Sequence, residues 1–421
     1  MTRIWPAGFW WGTGNSSNQC EGAAPASDWL RWERDGRAPT SGSGSDFATR
    51  YDEDFRLLRD IGLEHFRLSL EWARLEPSEG QHDRAEIERY RAMLSAARDR
   101  GINTWVTAHH FTLPAWVSDQ GSFLDEEVRT RTWPRHIDFL AETFGDLVFG
   151  WKPINEPWAY AMCGWLGLGF PPGHHDVSEF LHVLQATHLA NFDAGRVLRG
   201  TGRPVATIHA LSPSFAASES SDDRFAAAAF DELNFGCWIR AMNDGVFSLP
   251  ELPGRDVPEP VVGQHFADAF DFVGFSYYGA ASVAGDPGEG MKVGIYPPDA
   301  PPGILGNAYW PEGLKITLDR LHRDLPGRPL LVSEYGIGTF DDGERQRYLR
   351  DGVRLAKQAV DEGIDLVGFF HWTGIDNYEW LLGWDAPFGL IDRDRNPRPS
   401  ADVMRFYAED GEPGREPESF R

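Results

Sequence analysis

Cysteine, lysine and long apolar runs are all scarce in this chain, and the first and last of these shortages each close off a class of function. Cys20, Cys163 and Cys237 are the only cysteines among 421 residues. Three scattered thiols are too few for a zinc cluster, and their odd number argues against a disulfide framework, so a reducing cytoplasm is the expected compartment. No stretch reaches the roughly 18 consecutive apolar residues of a membrane helix. The opening MTRIWPAGFWWGTGNSS enters strand-like sequence at once, without the charged segment and apolar core of a secretory signal. Lysine occurs only as Lys152, Lys292, Lys315 and Lys357. Asp plus Glu outnumber Lys plus Arg by 64 to 40, giving a net charge of −24. A surface of that sign repels polyanions, so neither nucleic acid nor an anionic membrane is expected as a partner.

Apolar residues, by contrast, make up 41% of the chain, enough for a large core. Eight short apolar or β-branched runs recur along it: GFWWGTGNSS, HFRLSLEW, NTWVTAHH, VFGWKPINEP, PVATIHA, DFVGFSYY, PLLVSEYG and LVGFFHW. Between several of them lie amphipathic segments such as 52–62, 83–101 and 344–363, each closed by a glycine suited to a helix C-terminus. Strand then helix, repeated, implies parallel pairing. Eight such units favour an α/β fold closed into a (β/α)8 TIM barrel, since closure removes both sheet edges. One catalytic domain is expected over residues 1–408, with 409–421 a polar, mobile tail. The long connections 19–45, 158–177 and 279–310, rich in Gly, Pro and aromatics, are expected to fold over the barrel mouth.

Polar residues stand near the ends of those runs: Gln19, Arg67, His110, Asn155 with Glu156, Tyr278, Glu334 and Trp372. In this architecture the C-terminal face of the strands carries the active site, each strand contributing part of it. Glu156 and Glu334 are the informative pair. Two carboxyls delivered to one mouth can cleave a glycosidic bond, one protonating the departing oxygen while the other meets the anomeric carbon from the opposite face. A retaining site of this kind needs them ~5 Å apart, with one protonated and the other ionised at rest. Arg67 near Glu334 would hold that carboxylate charged, and the Tyr278 hydroxyl would donate to it. Glu156, among Trp151, Pro153, Pro157 and Trp158, has the less polar surroundings and can keep its proton. His109 and His110 are adjacent, so their side chains should diverge rather than share a metal.

These motifs resemble glycoside hydrolase family 1, the retaining β-glucosidases and β-glycosidases, along nearly the whole chain. Asn155-Glu156-Pro157 matches the family's N-E-P motif, and Glu334-Tyr335-Gly336 its E-N-G motif in altered form. Phe9, Trp11, Gly12, Gln19, Glu21 and Gly22 match its opening, Arg67 its R-x-S-x-x-W segment, and His110 its H-[WF]-x-L-P segment. By resemblance, Glu156 is the general acid/base and Glu334 the nucleophile, supported by Arg67, Asn155 and Tyr278. Gln19, His110, Asn155, Glu379 and Trp380 would bind sugar hydroxyls, with Trp372 as the aromatic platform. The implied activity is that of an exo-acting β-glycosidase, foremost a β-glucosidase, on a small-molecule β-glycoside, with no cofactor and no metal. A transglycosylase and an inactive sugar-binding barrel are the alternatives. A carboxylate at Glu379 would repel a 6-phosphate, which disfavours phosphoglycosidase activity.

Three residues depart from the family pattern. Tyr335 replaces the usual asparagine after the nucleophile, Ser276 an asparagine two residues before the site tyrosine, and Phe47 a common histidine. The expectation is a changed setting for Glu334, a re-wetted or wider pocket wall, and, from the short chain, an open aglycone side tolerant of many leaving groups.

Overall fold

The apolar runs become the staves of the barrel: β1 (Trp10–Gly14), β2 (His65–Ser69), β3 (Asn103–His109), β4 (Gly150–Ile154), β5 (His209–Ala210), β6 (Val273–Tyr277), β7 (Leu330–Tyr335) and β8 (Leu366–Trp372). Each lies inside one of the eight runs read from the sequence. The computed structural model describes residues 3–286, 288 and 290–417. Within it the strands pair in parallel in the order β4-β3-β2-β1-β8-β7-β6-β5. The two ends of that order meet, because Trp151 bridges in parallel to Val205. Trp151 N donates to Pro204 O and Ala206 N to Trp151 O, both at 2.9 Å. The ring is thus complete, a (β/α)8 barrel without a free edge.

Helices Arg84–Asp99, Val177–Arg199 and Asp342–Asp361 start at Asp83, Asp176 and Asp341, each of which accepts from first-turn N–H groups and so satisfies donors the helix leaves open. The barrel interior is filled by Trp105, Ala206, Leu331 and Phe370, with Trp10, Phe149 and Phe272 against them. Among the described residues, no helix is long and apolar enough to cross a membrane.

β7 breaks the regular alternation of a strand. Against β6 its register runs Val332 to Phe275 and then Glu334 to Ser276, so Ser333 is an extra residue, a β-bulge. Its effect is visible in the side chains. Ser333 bonds a residue inside the barrel and Glu334 bonds pocket residues. Tyr335 turns outward, where its ring lies on Tyr348 at 4.5 Å and 8° and its hydroxyl donates to Tyr348 O at 3.0 Å. Room for that ring comes from Gly352, where a Cβ would come within 2.3 Å of it.

Two expectations need correcting. Tyr335, expected to change the setting of Glu334, belongs to the outer core. Phe47 likewise is buried between Phe55 and Phe66, at 5.6 Å from each ring, so replacing a histidine here makes core rather than wetted pocket wall. The connection 279–310 is not simply a loop: Ala280–Asp286 and Gly290–Tyr296 form an antiparallel hairpin that extends Ser214–Ala216 into a separate three-stranded sheet. Of the tail expected to be mobile, 409–417 are described. Asp410 accepts from Ile4 N and Trp5 N, and Glu416 accepts from the Tyr407 hydroxyl. Residues 418–421 lie outside the described residues.

Candidate active site

Arg67 is the hub of the barrel mouth. It sits on β2 opposite Gly14 of β1, where a Cβ would make a tight approach of 3.0 Å to Arg67 Nε. Fully buried, the guanidinium spends one nitrogen on each of two strands. Nη2 meets Glu334 Oε1 at 2.6 Å, and Nη1 donates to Asn155 Oδ1 at 2.6 Å. Arginine only donates, so the Asn155 carbonyl oxygen faces it and the amide NH2 is left for a pocket ligand. The second oxygen of Glu334 accepts from the Tyr278 hydroxyl. A cation beside one oxygen and a hydroxyl donor on the other both favour the charged carboxylate.

Glu156 has the opposite surroundings. It follows β4 directly, in left-handed backbone conformation (φ 49°, ψ 68°), an arrangement that costs a non-glycine residue on the order of 1–3 kcal/mol. The chain around it holds that shape: Glu156 N donates to Ile208 O at 2.9 Å, and Pro157 opens the helix Pro157–Trp165. Its Oε1 is buried with no hydrogen-bond partner. Burial, and then the negative charge of Glu334, push its carboxyl far above the usual range, against smaller opposing effects of Ser276 and Arg67. Glu156 is therefore protonated and Glu334 acceptor-only, with the two close enough for one charge to govern the other's proton.

Beside the carboxyls lies a rim of hydrogen-bonding groups. Gln19, on the short helix Ser17–Glu21 rather than at a strand end, donates through Nε2 to Tyr378 O at 2.9 Å and to Glu379 Oε2 at 3.0 Å. Glu379 also receives the Trp372 side chain; burial, reinforced by the charge of Glu334, raises its carboxyl to about 8. His110 lies between two indoles, its ring parallel to Trp372 (11°) and to Trp380 (10°), with centroids 6.1 Å from each. Burial and then the charge of Arg67 hold this imidazole well below its ordinary pKa, hence neutral. Trp380 is backed by Trp29 at 4.7 Å and Phe170 at 5.3 Å. His109 points away, packed edge-on against Tyr160 and Phe123, so the neighbouring histidines do diverge.

The fold therefore gathers Gln19, Arg67, His110, Asn155, Glu156, Tyr278, Glu334, Trp372, Glu379 and Trp380 around one mouth. Sequence reasoning missed what supports them. Glu21 is a brace, taking Arg89 at 2.8 Å and the Tyr90 hydroxyl at 3.0 Å. Ser276 faces the Glu156 carboxyl, and Lys152 lies under β7. Each carried a signal without a role: Lys152 as a charged residue inside an apolar strand, Glu21 within the opening motif, and Ser276 as a departure from the family pattern. Removing the Tyr278 hydroxyl (Tyr278→Phe) deletes one donor to Glu334. A charge-assisted bond worth roughly 1.5–3 kcal/mol predicts about a 10- to 100-fold fall in kcat, to be read from steady-state kinetics.

The profile of Glycosyl hydrolase family 1 matches residues 1–410. Beta-glucosidase A of Thermotoga maritima is 26% identical over 418 residues, 92% of this chain and 92% of that protein. The bifunctional beta-D-glucosidase/beta-D-fucosidase of Bifidobacterium breve is 26% identical, covering 97% of this chain and 98% of its own length. Among solved structures, a beta-glycosidase from Pyrococcus horikoshii superposes with a TM-score of 0.87 at 29% identity, covering 97% of this chain and 96% of the other.

Proposed function

The chain belongs to glycosyl hydrolase family 1, and from that premise we propose a retaining, exo-acting β-glycosidase, foremost a β-D-glucosidase. The observation that carries the reading is the asymmetry of the two carboxyls. Glu334 is ion-paired to Arg67 and accepts from the Tyr278 hydroxyl, while Glu156 keeps its proton through burial and the charge of Glu334. In the first step Glu334 Oε attacks the anomeric carbon, the C–O bond to the aglycone breaks, and the proton of Glu156 goes to the departing oxygen. The product is a glycosyl ester of Glu334. Esterification removes the charge that raised Glu156, which becomes the base for the second step. It takes a proton from water as the hydroxide attacks the anomeric carbon and Glu334 leaves as carboxylate, so the β configuration is kept.

The free amide NH2 of Asn155 is suited to the 2-hydroxyl, a bond that strengthens in the transition state. Gln19, His110, Glu379 and Trp380 are the proposed partners of the remaining hydroxyls, with Trp372 under the apolar face of the ring. The charge of Glu334 reinforces burial in raising Glu379, so a 6-phosphate would bring further negative charge into a pocket that already disfavours it. A neutral hexoside is the substrate class. No metal or cofactor has a step in this scheme. A cytoplasmic location goes with this reading, since all three cysteines are unpaired, as a reducing compartment keeps them.

The test combines rates over a panel of nitrophenyl β-D-glycosides differing only in the sugar with proton NMR of the first-formed anomer. Highest kcat/KM on the glucoside and release of β-D-glucose are expected. An α-anomer as first product would overturn the retaining mechanism, and a galactoside or fucoside preference would reassign the sugar.

A further inference from the structure

Lys152, on β4, has no part in the chemistry above, yet it is fully buried inside the barrel. Its Nζ donates to Ser333 Oγ at 2.9 Å. The nitrogen otherwise faces aromatic rings, Phe370 at 4.9 Å and Trp105 at 5.3 Å. The titratable groups that act on it or on which it acts are Arg67 and His65 from β2 and Glu334 from β7. Burial and then Arg67 depress the amine far below the ordinary lysine value, and burial holds His65 at about 3. Burial thus works against charge on both, and Lys152 serves as the donor to Ser333. A polar amine among such rings has an uncompensated desolvation cost that an apolar side chain of equal length would avoid.

The Lys152–Ser333 bond lands on the residue that makes β7 irregular. Ser333 has no cross-strand partner on either side: β7 pairs with β6 through Val332 and then Glu334, and with β8 through Val332 and then Tyr335. The ladder that would otherwise fix this residue is interrupted immediately before the proposed nucleophile. A bulge of this kind re-aims the side chain that follows it.

We propose that Lys152 is a positioning residue for Glu334: by holding Ser333 Oγ it fixes the bulge that turns Glu334 into the pocket toward Arg67 and Tyr278. The proposal rests on Glu334 being the nucleophile. Misplacing a reacting group by about 1 Å can cost ~100-fold in rate.

The test is the rate of covalent labelling by a 2-deoxy-2-fluoro-β-D-glucoside, with the labelled peptide identified by mass spectrometry, in Lys152→Met, Ser333→Ala, the double variant and Ser333→Thr. The two single variants should label Glu334 about 10- to 100-fold more slowly, with KM for a nitrophenyl glucoside changed much less than kcat. Because both act through one bond, the double variant should be no slower than the slower single. Ser333→Thr, which keeps the hydroxyl, should stay near the parent rate. Should Lys152→Met fail to fold, Ser333→Ala against Ser333→Thr carries the same comparison. Labelling of Glu334 at the parent rate in the folded single variants, or losses that multiply in the double variant, would overturn the role of Lys152 alone. A label on any other residue would instead remove the functional reading beneath it.

Discussion

Glu334→Ala should lower kcat on a nitrophenyl β-D-glucoside by about 10⁵-fold or more, the scale seen when a covalent nucleophile is removed. Added azide should restore turnover and give the α-glycosyl azide. The structure supplies the reason for rescue. Arg67 Nη2, held 2.6 Å from a Glu334 oxygen, and the Tyr278 hydroxyl both stay behind when the carboxylate goes. A small anion entering that space finds their N–H and O–H groups waiting on the same face of the sugar. Azide then bonds to the anomeric carbon as nitrophenolate departs, a single displacement with inversion. Full activity in the alanine variant, or a β-configured azide product, would remove Glu334 from this role.

Glu156→Gln should separate substrates by their leaving groups. A dinitrophenyl glucoside departs without a proton, so its first step should be nearly spared, whereas alkyl glucosides should slow by roughly 10²–10⁴-fold, the usual reach of general acid catalysis. The pH profile gives an independent reading. Glu156 has a raised pKa, so the acid is present at low and neutral pH and is lost as pH rises through that value. Parent kcat/KM for an alkyl glucoside should therefore decline on the alkaline side, and that limb should disappear in the glutamine variant. Equal losses on both substrate types, with the limb retained, would transfer the acid role elsewhere.

Much of the barrel was legible because most strand residues are buried and the strands read as short runs rich in apolar and β-branched residues. Polar residues at the ends of such runs, Asn155, Glu156 and Tyr278 among them, have few places to go but the mouth. What escaped were features lacking periodicity. The hairpin Ala280–Asp286 and Gly290–Tyr296 is rich in Ala and Gly, which carry little strand signal. The bulge at Ser333 has no mark in composition, so strict alternation cannot tell that Glu334 faces the pocket while Tyr335 packs against Tyr348. Phe47 and Tyr335 stood at positions with functional associations, but their large apolar rings go where burial stabilises them most.

The left-handed backbone at Glu156 (φ 49°) puts durability and chemistry in opposition at one residue. Glycine would adopt that conformation freely and asparagine with less penalty than glutamate. Heat-based screening of random variants, blind to turnover, would enrich those replacements and discard the proposed proton donor. Only selection that scores product release would keep glutamate there, so engineering for heat resistance has to hold this codon fixed.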